Sequence, residues 1–427
     1  MEYRPSVKCH PLAEEDISAD HLHHHDMKMS AQKGMERMNQ RPKKRMKKLM
    51  SAALLLLMVL SMPVSGLAAE QGVAAASTQT TRTADDLLLY PAPRSLEKGE
   101  GTYVLQDGVI RSDDAELAAV SKIIEDACEL AGVTLNNEDS ASAQIELNHN
   151  EALDEQGYSL IIDASGVHIT YRDEAGARYA AATLYQIMWQ TKQELSYLTI
   201  ENDHPDFQYR AFDMDISRNR LPSVDTVKRV IDLLENLKYN QMFLYLEGFS
   251  YAYESYPQVW SGGDPLTPAQ ARELSEYAAE RGIDLIPAQN SFGHSAQWIA
   301  HNDFSELGDA KGSTTLNLFD PDTQTFISNL YHDLYAEGFQ SDILQVGGDE
   351  TTLDLANGRA AASWRELHPG EEPTQEKLYM DSMEIIAQLA EEQQKTMMYW
   401  GDMIIHYDLY EEAAQRMPGA IAMGLSV

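Results

Sequence analysis

Hydrophobic positions recur along the chain with two periods, which predict alternating strands and helices. From residue 205 onward, short apolar stretches typical of buried strands are separated by amphipathic stretches typical of helices. The predicted strands are Ala211–Ile216, Gln241–Leu246, Ile283–Ala288, Ile343–Val346, Thr396–Trp400 and Ala420–Met423. The predicted helices are Val224–Leu237, Pro268–Arg281, Thr323–Gly338 and Gln375–Glu392. This pattern indicates an α/β chain with a (β/α)8 TIM-type barrel over residues 205–427, incomplete, with about six strands present.

A second α/β region precedes the barrel, over residues 86–204. Its predicted strands are Thr102–Ile110, Ala143–Leu147, Tyr158–Asp163 and Val167–Tyr171, and its predicted helices are Ala115–Ala131 and Ala177–Gln190. The dipeptide Ser165-Gly166 is typical of a hairpin turn between the last two strands. We therefore expect a small sheet with helices on one face, followed by a domain boundary at His204-Pro205-Asp206.

The first 85 residues have the order of an export signal followed by a linker. The apolar run Leu49–Met62 is shorter than the roughly 20 residues that span a bilayer. The cationic stretch Arg41–Lys48 precedes the run and the small residues Gly66–Ala69 follow it, as in a secretory signal peptide. We assign residues 1–45 to a disordered or mis-assigned N-terminal extension, 46–69 to the signal peptide and 70–85 to the linker. The expected location is extracellular, with no stable membrane insertion after cleavage; a buried core helix is the alternative.

Composition and charge exclude several classes of function. The 427 residues include 33 Lys and Arg against 67 Asp and Glu, a formal net charge of −34. Such a charge repels nucleic acid and fits a neutral ligand. Of the two cysteines, only Cys128 follows the predicted signal peptide, so we expect no intrachain disulfide. Metal-ligand spacings and phosphate-binding loops do not occur after the signal, so we expect no metal and no cofactor.

Polar side chains follow the carboxyl ends of the predicted barrel strands, where the active sites of such barrels lie. The sharpest motif is Gly347-Gly348-Asp349-Glu350, after the fourth strand. Its glycines allow close backbone approach. Its neighbouring carboxylates separate each other's pKa values, so that one can act as a general acid while the other stays ionised. Alone, the motif also fits a helix cap and a solvated glutamate. The other candidates are Arg218, Glu247, Asn290, His294, Trp400 and Asp402.

Structural alternatives exist for these candidates too. Arg218 could bind sugar hydroxyls or form an ion pair with Asp215. His294 could relay a proton or lie in the core, and Trp400 could stack on a sugar or pack internally. An aromatic series after the second strand could line a sugar groove or form a plain loop cluster. Its members are Phe249, Tyr251, Tyr253, Tyr256 and Trp260.

Taken together, these motifs resemble glycoside hydrolase family 20, the β-N-acetylhexosaminidases, over about residues 86–427. In the first region the resemblance rests on Tyr158–Ile162, Gly166–Ile169 and Tyr179–Gln186. In the barrel it rests on Phe212–Arg218, Phe292–His294, Val346–Glu350 and Trp400–Asp402. These motifs, in this order along the chain, are more specific to the family than any one of them alone.

The resemblance implies substrate-assisted, retaining hydrolysis. The carbonyl oxygen of the substrate's 2-acetamido group would attack C1. Glu350 would protonate the leaving oxygen and later deprotonate water, while Asp349 would hold the acetamido N–H and stabilise the oxazolinium. Arg218 would bind the sugar and Trp400 would wall the acetamido pocket. The implied function is a secreted exo-β-N-acetylhexosaminidase that removes terminal GlcNAc or GalNAc from glycans.

The sequence departs from the family pattern in two places. The second strand ends Tyr245-Leu-Glu-Gly248 where the family commonly has His-x-x-Asp, which leaves Glu247 as the nearest acid. The family's residues from strands seven and eight have no counterpart before Val427. Two other hypotheses stay open. One is a barrel glycosidase with Glu350 as acid and Glu247 or Asp402 as nucleophile. The other is an inactive glycan-binding fragment, poorly soluble because its strand edges are open.

Overall fold

The computed structural model describes residues 86–112, 117–136, 143–218, 221–261 and 263–424. The predicted N-terminal extension, signal peptide and linker lie outside these residues. Within the described ranges, no helix is both long enough and apolar enough to cross a membrane.

The first domain is one seven-stranded sheet covered by two helices. Its strands are β1 Glu97–Val104, β2 Gly108–Ser112, β3 Leu135–Asn136, β4 Ile145–His149, β5 Tyr158–Asp163, β6 Gly166–Tyr171 and β7 Glu194–Asp203. Its helices are α1 Ala118–Ala131 and α2 Glu174–Thr191. The strand order is β1-β7-β5-β6-β4-β2-β3. Alternate residues of the central strands, such as Leu160 and Ile162, are fully buried in the core that the helices share.

Three details of this domain differ from the predictions, and the first is that the short strand β3 was not predicted. The stretch predicted as one strand over Thr102–Ile110 is two strands, β1 and β2. The side chain of Gln144 binds the Gln106 N–H at 2.9 Å and the Gln106 carbonyl at 2.7 Å, so these peptide groups are not available to a continuous strand. Strand β7, which was not predicted, lies between β1 and β5 and pairs antiparallel with both.

The second domain is a curled, wholly parallel sheet of six strands. Its strands are β8 Ala211–Asp215, β9 Gln241–Leu246, β10 Asp284–Gln289, β11 Ile343–Gln345, β12 Thr396–Trp400 and β13 Ile421–Met423. Its longer helices are α3 Val224–Asn236, α5 Pro268–Ala279, α7 Pro321–Ala336, α8 Arg359–Leu367 and α9 Gln375–Glu392. Its short helices are α4 Pro257–Trp260, α6 Ala296–Ala300, α10 Asp402–Tyr407 and α11 Tyr410–Arg416, and Ser305–Leu307 forms a 3-10 turn. The strands follow one another in chain order across the sheet. The predicted partial TIM-type barrel, preceded by a small α/β domain, is confirmed.

Successive side chains along each barrel strand point to opposite sides of the sheet, which gives two layers of apolar side chains. Met242 and Leu244 of β9 face outward into the core that the sheet shares with its helices. Phe243, between them, faces the inside of the half-barrel. With Ile286, Ala288 and Met398 it forms what we call the lumen cluster. Because this cluster fills the interior, polar side chains farther along each strand are carried to its carboxyl end.

Candidate active site

Several candidate side chains lie on the lumen-facing side of their strands, at or just beyond the strand ends. Residues two positions apart on a strand point to the same side. Asn290 and Trp400 each lie two positions beyond a member of the lumen cluster, on β10 and β12. Glu247 lies four positions beyond another member, just past β9. The fold therefore carries these three side chains to the carboxyl end of the sheet, which we call the mouth.

The Gly-Gly pair after β11 suits both a left-handed backbone and the side chains that pack closely against it. Gly347 and Gly348 have φ angles of 77° and 98°, in the region that favours glycine. A Cβ atom on Gly347 would lie 2.4 Å from Asn290 Oδ1, so no other residue fits there without displacing that side chain. This packing delivers Asp349 and Glu350 to the mouth directly beside Asn290.

Two candidate residues have left-handed backbones although neither is glycine. His294 has φ 51° and Glu350 has φ 50°. Such conformations are uncommon and cluster at functional sites, where the surrounding structure holds them. The strain at both positions supports a functional role for their placement.

His294 joins the two carboxylates of the motif. Its Nε2 lies 3.2 Å from Asp349 Oδ2 and 3.7 Å from Glu350 Oε2. The hydrogen bond to Asp349 raises the pKa of His294, and the negative charges of Asp349, Glu247 and Glu350 add to the effect. The side chains of His294 and Asp349 are only 20% and 19% exposed, whereas that of Glu350 is 78% exposed. The result is a sheltered ion pair beside a carboxyl that faces solvent.

Arg218 lies in a second cluster at the same mouth. Its Nη2 donates to Tyr245 Oη at 2.9 Å and to Glu247 Oε2 at 3.3 Å. Its Nε lies 3.5 Å from Asp215 Oδ2, so the ion pair considered from the sequence does form. The Arg218 side chain remains more than half exposed, which leaves guanidinium N–H groups available to a ligand.

Asp402 and Trp400 form the far side of the mouth. Burial raises the pKa of Asp402, and the charge of Asp349 adds to this, while the backbone N–H groups of Met403 and Glu350 oppose it. Trp400 is half-buried, and its backbone N–H donates to the Gly347 carbonyl at 3.0 Å. This bond ties the end of β12 to the turn that carries Asp349.

The mouth concentrates polar atoms that lack hydrogen-bond partners. Over the described part of the chain, eight buried side-chain nitrogen or oxygen atoms have none, and four belong to this region. They are Asn290 Nδ2, Gln345 Nε2, Asp349 Oδ1 and Asp402 Oδ1. Buried polar atoms are normally satisfied. Two donors and two acceptors left together suit a ligand that offers both functions, as a carboxamide does.

Three site residues were missed or misjudged from the sequence. Tyr245 was counted with an apolar strand interior, but its hydroxyl donates to Glu247 Oε2 at 3.1 Å. Gln345 carries one of the four unpartnered atoms. Asp213 faces the lumen from β8, the strand at the edge of the sheet, where its side chain is still reached by water. Partial desolvation by neighbouring protein atoms and the negative charge of Asp215 raise the pKa of Asp213 to about 6. One sequence feature could have identified all three: each lies on the lumen-facing side of its strand, at the two-residue spacing that continues to the strand's carboxyl end.

The predicted aromatic series divides into two groups. Tyr251 and Tyr253 are fully buried, and Tyr256 packs against Phe304 and Phe326. Phe249 and Trp260 instead line a cavity of about 400 Å³ beside the mouth. Of the two alternatives left open by the sequence, the three tyrosines therefore agree with the loop cluster, and only Phe249 and Trp260 border a cavity.

A larger cavity lies at the opposite end of the sheet. It measures about 650 Å³ and is lined by residues at the amino ends of three strands, among them Gln241, Asp284 and Ile343. In parallel barrels ligands bind at the carboxyl ends of the strands. We call this opposite end the base and do not assign it as the active site.

Among the described residues, no three His, Cys, Asp or Glu side chains are grouped as metal ligands.

Comparison with known proteins shows the family to which both domains belong. Residues 207–418 match the catalytic domain of glycosyl hydrolase family 20, and residues 86–203 match domain 2 of the same family. A β-hexosaminidase of Vibrio furnissii is 28% identical over 303 residues, which cover 62% of this chain and 49% of that protein. A β-N-acetylhexosaminidase of Cellulomonas fimi is 28% identical over 304 residues, which cover 63% of this chain and 61% of that protein. The chain thus spans about half to three fifths of these relatives.

Solved structures share the fold. A family 20 exo-β-N-acetylglucosaminidase of Vibrio harveyi, in complex with N-acetylglucosamine, superposes with a TM-score of 0.62 at 21% identity, covering 79% of this chain and 57% of that one. A β-N-acetylhexosaminidase of Bacteroides fragilis superposes with a TM-score of 0.64 at 21% identity, covering 79% of this chain and 74% of that one. Because two domains of the same family match over residues 86–203 and 207–418, the chain belongs to glycoside hydrolase family 20.

Proposed function

We propose that this chain carries the catalytic centre of a β-N-acetylhexosaminidase that removes terminal GlcNAc or GalNAc from glycans with retention of configuration. The observation that carries the proposal is the hydrogen bonding of the two Asp349 carboxylate oxygens. One of its oxygens is bound by His294, and the other is buried without a partner beside Glu350. An acetamido N–H is a donor that this second oxygen can accept.

In the proposed mechanism the substrate's acetamido group is the nucleophile. Its carbonyl oxygen forms a bond to C1 while the bond from C1 to the leaving oxygen breaks, which produces a cyclic oxazolinium. Ionised Asp349 accepts a hydrogen bond from the acetamido N–H, and its charge stabilises the positive charge that develops. Water then attacks C1, which restores the acetamido group and the original configuration.

Glu350 is the proposed general acid and base. Its solvent-facing position suits a group that meets the departing part of the glycan. It gives its proton to the leaving oxygen and later takes a proton from the attacking water. The hydrogen bond between His294 Nε2 and Asp349 Oδ2 orients the Asp349 carboxylate.

The remaining predicted residues are proposed to position the sugar. Arg218 would donate to ring hydroxyls from the guanidinium N–H groups that remain exposed. Trp400 would form one wall of the acetamido pocket, at the end of β12 next to Asp402. Asn290 would donate its unpartnered Nδ2–H to the sugar at the floor of the mouth.

A carboxylate nucleophile is the alternative mechanism, and the local contacts favour it less. Such a nucleophile must be ionised and free to attack. Glu247 is held by Arg218 and Tyr245 through the same oxygen. Burial raises the pKa of Asp402, which increases its protonated share at a given pH.

Two aryl glycosides that differ only at C2 test the proposal. The aryl β-glycoside of N-acetylglucosamine should be hydrolysed, while the corresponding glucoside should be nearly inert because it lacks the attacking carbonyl. Comparable turnover of both substrates would contradict the mechanism and favour an enzyme nucleophile. A trapped covalent glycosyl-enzyme would contradict it independently.

We also propose that the protein is exported and cleaved after Ala69. The support is the order of cationic, apolar and small residues in the first 69 positions. N-terminal sequencing of the protein recovered from culture medium should begin at Glu70. Retention of residues 46–69 in the recovered protein would contradict this proposal.

A further inference from the structure

One buried side chain lies behind three of the segments that carry the proposed site residues. Tyr379 belongs to α9, and its hydroxyl donates a hydrogen bond to the Gly348 carbonyl at 3.2 Å. Its ring packs against the ring of Phe292, with centroids 6.0 Å apart, and against the ring of Tyr407, also at 6.0 Å. These contacts join α9 to the turn after β11, to the Phe-Gly-His segment after β10 and to α10 after β12.

The hydrogen bond to Gly348 is made where the backbone is free to rotate. Two consecutive glycines precede Asp349, and glycine adopts a wider range of φ and ψ than other residues. The Gly348 carbonyl belongs to the planar peptide group that leads directly into Asp349, so holding this carbonyl fixes the orientation of that peptide group. The Gly347 end of the turn is held separately, by the Trp400 N–H. The Tyr379 hydroxyl therefore holds the end of the turn that is nearest to the two carboxylates.

The two turns that carry His294 and Asp349 also touch each other. A Cβ atom on Gly293 would lie 2.9 Å from the Asp349 carbonyl oxygen, so the two backbones are in close contact there. The hydrogen bond between His294 Nε2 and Asp349 Oδ2 joins the same two turns. The α9 tyrosine contacts both, one through its ring and the other through its hydroxyl. A shift of one turn relative to the other would change the hydrogen bond between the histidine and the carboxylate.

The Tyr379 hydroxyl is a lasting donor on a fixed ring. Burial raises the pKa of this hydroxyl, and the negative charge of Asp402 adds to the rise, so the group stays protonated in neutral solution. The contacts with Phe292 and Tyr407 hold the ring within the core. Side chains whose rotamers are fixed by packing are the ones that can hold a catalytic group in its productive geometry.

We propose that Tyr379 is a positioning residue of the active site, which holds the Asp349 carboxylate against His294 through its hydrogen bond to the Gly348 carbonyl. The hydroxyl restricts the turn to the conformation in which Asp349 can accept the acetamido N–H and Glu350 faces the leaving group. The kinetic part of this inference rests on the proposed function. The placement of Asp349 against His294 does not, and it can be measured without substrate.

Tyr379→Phe removes the hydroxyl and keeps the ring, so it tests the hydrogen bond alone. Tyr251→Phe is the matched control, because Tyr251 is fully buried and also donates to a backbone carbonyl, that of Asp333, at 3.2 Å. Proton NMR of the ligand-free protein during a pH titration gives the first readout. The pKa of His294 should fall in Tyr379→Phe, because the hydrogen bond to Asp349 is the largest cause of its upward shift. The pKa of His294 should keep its parent value in Tyr251→Phe.

Steady-state kinetics on the aryl β-glycoside of N-acetylglucosamine give the second readout. Tyr379→Phe should lower kcat by about 10–100-fold, because small displacements of catalytic groups are costly in rate. The KM should change little, since the residues proposed to bind the sugar, Arg218 and Trp400, keep their places. Tyr251→Phe should leave kcat and KM unchanged.

Three outcomes would overturn the positioning role of Tyr379. They are an unchanged His294 titration in Tyr379→Phe, equal losses of kcat in the two tyrosine variants, and a Tyr379→Phe protein that does not fold where Tyr251→Phe does. The last result would make the hydroxyl a general stability contact. Failure of the proposed function is recognised separately: the parent protein would not hydrolyse the aryl glycoside, while the His294 titration would still respond to Tyr379→Phe and support the placement of Asp349.

Discussion

The mouth and the base of the barrel sheet are both rich in charged side chains, but they differ in how those charges are satisfied. At the base, Arg178 is buried, and it donates to Glu174 at 2.7 Å and to the Glu280 carbonyl at 2.8 Å. Arg281 donates to Asp232 at 2.7 Å. The bond from Arg178 to Glu280 joins α2 of the first domain to the segment after the barrel helix α5, whereas the other two bonds each lie within one domain. The charge of Arg178 therefore helps to hold the two domains together.

At the mouth, by contrast, more buried polar atoms are left without hydrogen-bond partners. Among the described residues, four such side-chain atoms lie at the mouth, against two near the base, Asn236 Oδ1 and Ser275 Oγ. Yet the larger cavity is at the base. The comparison teaches that neither charge density nor cavity volume identifies this active site. The larger number of buried polar atoms without hydrogen-bond partners at the carboxyl ends of the strands does.

The largest effect should come from Glu350→Gln at the mouth. Loss of the general acid and base should lower kcat by about 10²–10⁴-fold with little change in KM. Steady-state kinetics on an aryl β-N-acetylglucosaminide measures this. The matched change at the base, Glu235→Gln, should leave kcat unchanged. Equal losses from both variants would remove the distinction between the two ends.

Asp349→Asn should have the next largest effect, and it has a spectroscopic signature. It should lower kcat by about 10²–10³-fold, because the developing positive charge loses its carboxylate. It should also lower the pKa of His294, whose upward shift comes first from the hydrogen bond to Asp349. Histidine proton NMR during a pH titration measures the shift. An unchanged His294 titration would show that the pair is not formed in solution.

A substitution at the base should change the stability of the protein rather than its substrate binding. Arg178→Met removes a buried cation from Glu174 and Glu235, so the free energy of unfolding should fall by about 3 kcal/mol. The KM of the remaining folded enzyme should not change. Arg365→Met, at an exposed position, should stay within about 0.5 kcal/mol of the parent. Denaturant unfolding measures both, and equal effects of the two variants would contradict the structural role of Arg178.

The smallest predicted effect is the pH dependence that Glu235 gives to stability. Burial raises the pKa of Glu235 from 4.5 to about 7, although Arg281 and Arg178 oppose the shift. Between these two pH values the folded protein binds a proton that the unfolded chain has released, so this contribution to stability falls as pH rises. Glu235→Gln should flatten the decline and raise stability at pH 8 by about 1–2 kcal/mol. Thermal unfolding between pH 4.5 and 8 measures this, and a decline that persists in the variant would contradict it.

Much of the barrel was predictable because its long elements are strongly periodic. The predictions for Gln241–Leu246, Gln375–Glu392 and Thr396–Trp400 agree with β9, α9 and β12 at both ends. Strand β7 and the short helices of the loops were not predicted. Short helices such as α6 and α10 have too few residues to show a period, and their place depends on contacts with distant parts of the chain.

The candidate site was predictable in position but not in its pairings. Arg218, Glu247 and Asn290 could be placed at strand ends from the sequence alone. Their partners depend on the register between strands, which brings Tyr245 next to Asp215 across β8 and β9. Sequence periodicity shows which side of a strand a residue faces, but not which neighbour it meets.

The most direct test of the account compares the binding of N-acetylglucosamine and glucose, followed by NMR at His294 and the Trp400 indole. The account predicts that N-acetylglucosamine shifts both signals and binds at least about tenfold more tightly than glucose, because Asp349 Oδ1 accepts its amide N–H. In Asp349→Asn this preference should disappear. Equal affinity for the two sugars in the parent protein, or shifts confined to residues of the base, would contradict the assignment of the mouth as the active site.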